Sequence, residues 1–69
     1  MSQIGKNLVS ALKIKYTSEI QCAIATLQVY VNHPVGIGEH PQHIEEMDKL
    51  IDTIATNQDK LDALESLKF

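Results

Sequence analysis

His33-Pro34-Val35-Gly36-Ile37-Gly38-Glu39-His40-Pro41 is the stretch that decides how this chain folds. Proline disfavours helical backbone in the residue before it, so a helix arriving from the amino-terminal side is expected to stop near Asn32. Gly36 and Gly38 tolerate backbone angles closed to other residues, which permits a sharp reversal. Pro41 suits the first turn of a new helix, where its missing N–H leaves nothing unpaired. Val35 and Ile37 are expected to fold inward and plug the end of the reversal. The stretch therefore reads as a turn over residues 33–40 between helices of about residues 4–32 and 41–67.

On the carboxyl side, Ile44, Met47, Ile51, Ile54 and Leu61 recur at three- and four-residue steps, with Leu50, Ala55 and Leu64 widening the stripe. Asp48, Lys49, Asp52, Thr56 and Asp59 fall mostly on the other side, and Glu45 and Glu46 lie early in the helix, where its dipole favours negative charge. On the amino side, Leu8, Leu12, Tyr16, Ile20, Ala23, Ile24, Leu27 and Val31 form a second helical stripe. Leu12 to Tyr16 also alternates like a strand, and Leu27 to Val31 contains β-branched residues. Five alternating residues without a second strand to pair with do not make a stable sheet, so helix is the expectation.

The two stripes match as an antiparallel pair. If the reversal centres near Ile37, residues whose numbers total about 74 share a level, which sets Ile24 near Leu50 and Leu27 near Met47. Lys13 and Lys15 then come beside Asp59 and Asp62, although exposed pairs of this kind contribute only about 0–1 kcal/mol each. The expected fold is all-α: a two-helix hairpin forming a single domain, residues 1–69.

Such a hairpin is thin. A chain of 69 residues hides only about 60% of its unfolded surface, and supplements are usually a disulfide, a metal or oligomerisation. Cys22 is the only cysteine, which rules out an internal disulfide and suits a reducing compartment. Helix 1 carries a further apolar stripe on its far side, made of Ile4, Ala11, Ile14, Cys22, Ala25 and Val29. Scattered surface hydrophobes are common, but a lone hairpin should be polar there. The stripe is read as an interface, and a homodimer closing a four-helix bundle is the simplest way to cover it.

Charge narrows the partners. Before His33 there are three lysines against one glutamate, net +2; from His33 onward there are three lysines against eight acids, net −5; arginine is absent. Nucleic-acid binders cluster Lys and Arg on one face, so DNA or RNA is not an expected partner. Ile20 to Gly38 carries no formal charge, yet Gln21, Thr26, Gln28, Asn32, His33 and Pro34 make membrane insertion costly. No apolar segment with a small-residue cleavage site marks a secretory signal.

The run Val29 to Pro41, with the acidic helix Glu45-Glu46-Met47-Asp48-Lys49-Leu50-Ile51-Asp52 after it, resembles small helical-hairpin proteins of tailed bacteriophages, especially large myoviruses. The Pro34-Val35-Gly36-Ile37-Gly38-Glu39-His40 string carries the likeness, which covers about residues 19 to 66. His33 stands between Asn32 and Pro34 where the family pattern has Asn directly before Pro, and Gln42-His43 is a further local departure. The resemblance implies a virion component or an accessory protein of the infected cell's cytoplasm; it implies no activity and no site.

Candidate chemistry is sparse. His33, His40 and His43 beside Glu39 are zinc-type ligands, but the spacing is not that of two histidines four apart on a helix, and no second ligand set exists, so no metal is expected. Gly36-Ile37-Gly38 before a helix is reminiscent of phosphate loops. Those follow a buried strand and add a lysine with Ser or Thr, which this turn lacks. Cys22 lies nearly three helical turns from His33, too far for a thiol–imidazole pair, and a hairpin is not expected to hold a pocket of ligand size. The chain is therefore expected to be no enzyme and to use no cofactor or small-molecule substrate. Its expected partner is itself, a larger viral assembly, or both; the competing expectation is a small regulator that binds a host protein through the acidic helix or the histidines. Mimicry of nucleic acid by that helix is disfavoured by its modest charge.

Overall fold

Helix α1 spans Gln3–Asn32 and helix α2 spans Gln42–Ser66. The computed structural model describes residues 1–32 and 42–69, and no strand occurs among the described residues. The turn residues Pro34, Val35, Gly36, Ile37, Gly38 and Pro41, with His33, Glu39 and His40, lie outside them.

Ser2 starts α1. Its hydroxyl oxygen accepts the Gly5 N–H at 3.0 Å and its carbonyl accepts the Lys6 N–H at 2.9 Å, so one side chain satisfies a donor that the first turn leaves over. Neither end of α1 carries a charge that complements the helix dipole, whereas α2 places Glu45 in its first turn. At the far end of α2 the Leu67 N–H reaches back to the Leu64 carbonyl at 3.3 Å and closes the last turn. The β-branched run Leu27 to Val31 is helical, because a helix satisfies its own backbone while a strand here has no neighbour.

The helices pack antiparallel as a hairpin, and two ring contacts set the register. Tyr30 meets His43 edge to face, with centroids 6.0 Å apart and planes at 75°. The Lys60 ammonium lies 5.7 Å from the centre of the Tyr16 ring, a cation–π distance. The paired numbers total 73 and 76, bracketing the 74 that the turn implies.

A seven-residue repeat runs down the seam. On α1 the half-buried or buried positions are Val9, Tyr16, Ala23 and Tyr30, seven apart, with Ile20 and Leu27 between the last three and Gly5 near the start. On α2 they are His43, Leu50, Asn57 and Leu64, again seven apart, with Met47, Ile54 and Leu61 between them and Thr53 beside the seam. This is the spacing that keeps one narrow face of each helix turned to its neighbour. The seam is rotated from the stripe the residue pattern suggested: Leu8, Ile24, Val31, Ile44 and Ile51 are exposed, and Val9, Tyr30, His43 and Asn57 take places on the seam. One neighbour covers a strip only about two residues wide, so the rest of a broad apolar stripe stays uncovered.

Little is enclosed. Among the described residues only Ala23 and Asn57 are buried, and no large side chain is fully hidden. The Asn57 amide donates to the Thr53 carbonyl at 2.8 Å, Thr53 to the Lys49 carbonyl at 3.0 Å, and Thr26 to the Cys22 carbonyl at 2.9 Å. Each of these bonds returns to its own helix. The ion pair formed among the described residues, Lys49 with Glu46 at 3.4 Å, is likewise local and exposed. Lys13 and Lys15 close no salt bridge with Asp59 or Asp62; Asp62 instead accepts from the Gln58 amide at 3.1 Å. The hairpin is a rod, 52 × 15 × 14 Å with a radius of gyration of 16.0 Å. A compact chain of this length would have about 11 Å.

Candidate interaction faces

Three features of the rod stand outside its seam. The first is a shallow polar cleft of about 320 Å³ lined by Lys15, Glu19, Asp52, Thr53, Thr56, Asn57 and Lys60. Its size reaches the lower limit of ligand pockets, roughly 300–1,000 Å³, so the expectation of no pocket is corrected: a concavity exists, though broadly open. The two ammonium groups balance the two carboxylates, and Lys60 is already engaged with the Tyr16 ring. The cleft brings together no thiol or imidazole with a carboxylate.

The cleft also fixes the sides of the hairpin. Glu19 on α1 and Thr53 and Lys60 on α2 each follow a seam residue by three positions, and all three line the same cleft. That flank of both helices therefore shares one broad side of the rod. Residues that follow a seam residue by one position sit on the opposite flank of each helix.

The second feature is the far-side stripe of α1. Ile4, Ala11, Ile14, Cys22, Ala25 and Val29 are all exposed, and Ile4, Ile14 and Val29 more than half so. A cysteine flanked by such residues is a small apolar surface group, and Cys22 is a free thiol. The third feature, absent from the residue-pattern reading, is the flank opposite the cleft, where Ile24 and Val31 of α1 and Ile44 and Ile51 of α2 lie exposed. The signal was present as pairs of aliphatic residues seven apart, each one step beyond a seam residue.

Of the histidines, His43 is described, and its ring packs on Tyr30. Among the described residues no group of three or more His, Cys, Asp or Glu is placed to hold a metal ion, and no helix is long and apolar enough to cross a membrane. No protein-family model, curated protein or solved structure matches the chain.

Proposed function

We propose that this chain is a non-enzymatic helical interaction module that works by packing apolar helix surface against copies of itself, a larger viral assembly, or both. One observation carries the reading. Helices of 30 and 25 residues lie together, yet among the described residues only Ala23 and Asn57 are buried while Ile4, Ile14 and Val29 face solvent. Marginal stability cannot be reached by so thin a core, and covering these side chains supplies the missing burial at about 25 cal/mol per Å². The far-side stripe of α1 is the face offered to the larger partner. With the resemblance of residues 19–66 to phage hairpin proteins, the setting is a minor structural component of a tailed-phage virion, made in the host cytoplasm. A second reading, a small regulator of a host protein, draws on the net charge of −5 over α2, from seven acids and two lysines.

The test is mass spectrometry of purified virions from cells expressing the chain or its Ile14→Glu/Val29→Glu variant. The module reading expects the chain in the particle and the variant depleted from it. Absence of the chain from particles, with recovery on a host protein, favours the regulator.

A further inference from the structure

We infer that the flank opposite the polar cleft seats a second copy of this chain, giving a dimeric four-helix bundle in which α1 of each copy lies over α2 of the other and the ends joined by residues 33–41 point the same way. This rests on the interaction-module reading and assigns the self-association to a face distinct from the far-side stripe.

The face spans both helices. Ile24 and Val31 follow the seam residues Ala23 and Tyr30, and they are 41% and 60% exposed. Ile44 and Ile51 follow His43 and Leu50, and they are 73% and 51% exposed. Their numbers pair at the level the ring contacts set, Ile24 with Ile51 and Val31 with Ile44. Between them and the seam run Ile20 and Leu27 on α1, and Met47 and Ile54 on α2, all half-buried. This half of the rod thus presents an aliphatic strip on that side, edged by Gln21, Gln28 and Asp48, which follow Ile20, Leu27 and Met47 by one position. The charges of early α2 (Glu45, Glu46, Asp48, Lys49 and Asp52) all fall at other positions of the seven-residue repeat, and α1 has no charged residue after Glu19.

Three arguments choose a second copy as the occupant. The first is area. The chain exposes 5371 Å², against roughly 4,300 Å² for a compact protein of its mass. The excess, about 1,000 Å², is close to the roughly 800 Å² that each partner hides in a stable interface. The second is self-complementarity. At the corresponding repeat positions in the other half of the rod the face carries Lys13, Ser10, Thr17, Gln58 and Glu65 beside Leu61, so in fully overlapped copies aliphatic meets aliphatic along the face only when the joined ends lie together. Reversing one copy would set isoleucines against this polar half. The third is charge. The same-end arrangement lays α1, net +2, over α2 of the other copy, net −5, and makes all neighbouring helices antiparallel. The far-side stripe stays outside the bundle, available to a larger assembly.

Light scattering with circular dichroism tests this on the full chain. The wild type is expected at twice 7.7 kDa, Ile14→Glu/Val29→Glu at the same mass, and Ile24→Glu/Ile51→Glu as a single-chain species or as chains that have lost their helix signal. A helical wild-type monomer overturns the inference while leaving incorporation into particles to decide the wider reading. So does a dimer that survives Ile24→Glu/Ile51→Glu, or one lost only in the Ile14→Glu/Val29→Glu variant. Because a glutamate on the face can also unfold the chain, spin labels on Ile4→Cys, an exposed site near the rod's end, in a Cys22→Ser background provide a measurement with the face intact. Same-end packing expects a separation of roughly 30 Å, set by the width of the bundle, and opposite-end packing roughly 50 Å, set by the length of the rod; the longer distance overturns the proposed arrangement.

Discussion

Asn57 is the residue at which this hairpin departs most from an aliphatic seam. It occupies a repeat position between Leu50 and Leu64, is buried, and spends its amide on the Thr53 carbonyl of its own helix. A polar residue in a helical seam lowers stability and narrows the ways in which helices associate. Asn57→Leu is therefore expected to stabilise the fold by about 1 kcal/mol, a rise of about 4–8 °C in the melting temperature for a domain of this size. Thermal unfolding followed by circular dichroism reads this directly, and a lower melting temperature would show that the amide does more than its local bond. Ser2 offers the opposite case. Ser2→Ala removes the acceptor of the Gly5 N–H, at a cost of about 0.5–2 kcal/mol. Because it caps a chain end, the loss is expected in amide exchange at Gly5 and Lys6, with the middle of α1 unchanged.

The two helices and their antiparallel order were legible in the residues. Pro34, Gly36 and Gly38 mark the break, and the three- and four-residue spacing of Ile20, Ala23, Leu27 and of Met47, Leu50, Ile54 marks the helices. The line of contact was not legible. Ile44 and His43 are neighbours, and hydrophobicity favours Ile44 for the interior, yet His43 lies on the seam against Tyr30 and Ile44 is exposed. Spacing gives the width of an apolar stripe, and only a known number of partners says which part of that width is covered. The same limit hid the face of Ile24, Val31, Ile44 and Ile51, since each looked like an ordinary core residue. Ala23 shows what sets the helix separation: among the described residues it is the one buried hydrophobic side chain, at the level of Leu50. Enlarging it to Ile pushes the helices apart at the centre of the seam and is expected to cost about 1–3 kcal/mol. Denaturant unfolding checks this, and a midpoint equal to that of the wild type would mean the helices touch too loosely at Ala23 to notice three extra carbons.

For the whole molecule, shape and stability are one question. A rod 52 Å long and about 15 Å thick has too little interior for its length, and the side-chain hydrogen bonds of Asn57, Thr53 and Thr26 all return to their own helices, so apolar burial and ring contacts between helices hold the rod together. If that burial is completed by another copy, folding and association are a single equilibrium, and the midpoint of unfolding must move with protein concentration. The size of the movement follows from the unfolding enthalpy. At about 0.7 kcal/mol per residue, two chains of 69 residues absorb roughly 100 kcal/mol on melting. A tenfold dilution should then lower the melting temperature by about 5 °C. Scanning calorimetry or circular dichroism over a hundredfold range of concentration makes the comparison. A midpoint independent of concentration would mean that a single hairpin holds its fold with Ile24, Val31, Ile44 and Ile51 in water, and the case for an apolar face waiting to be covered would then lose its energetic ground.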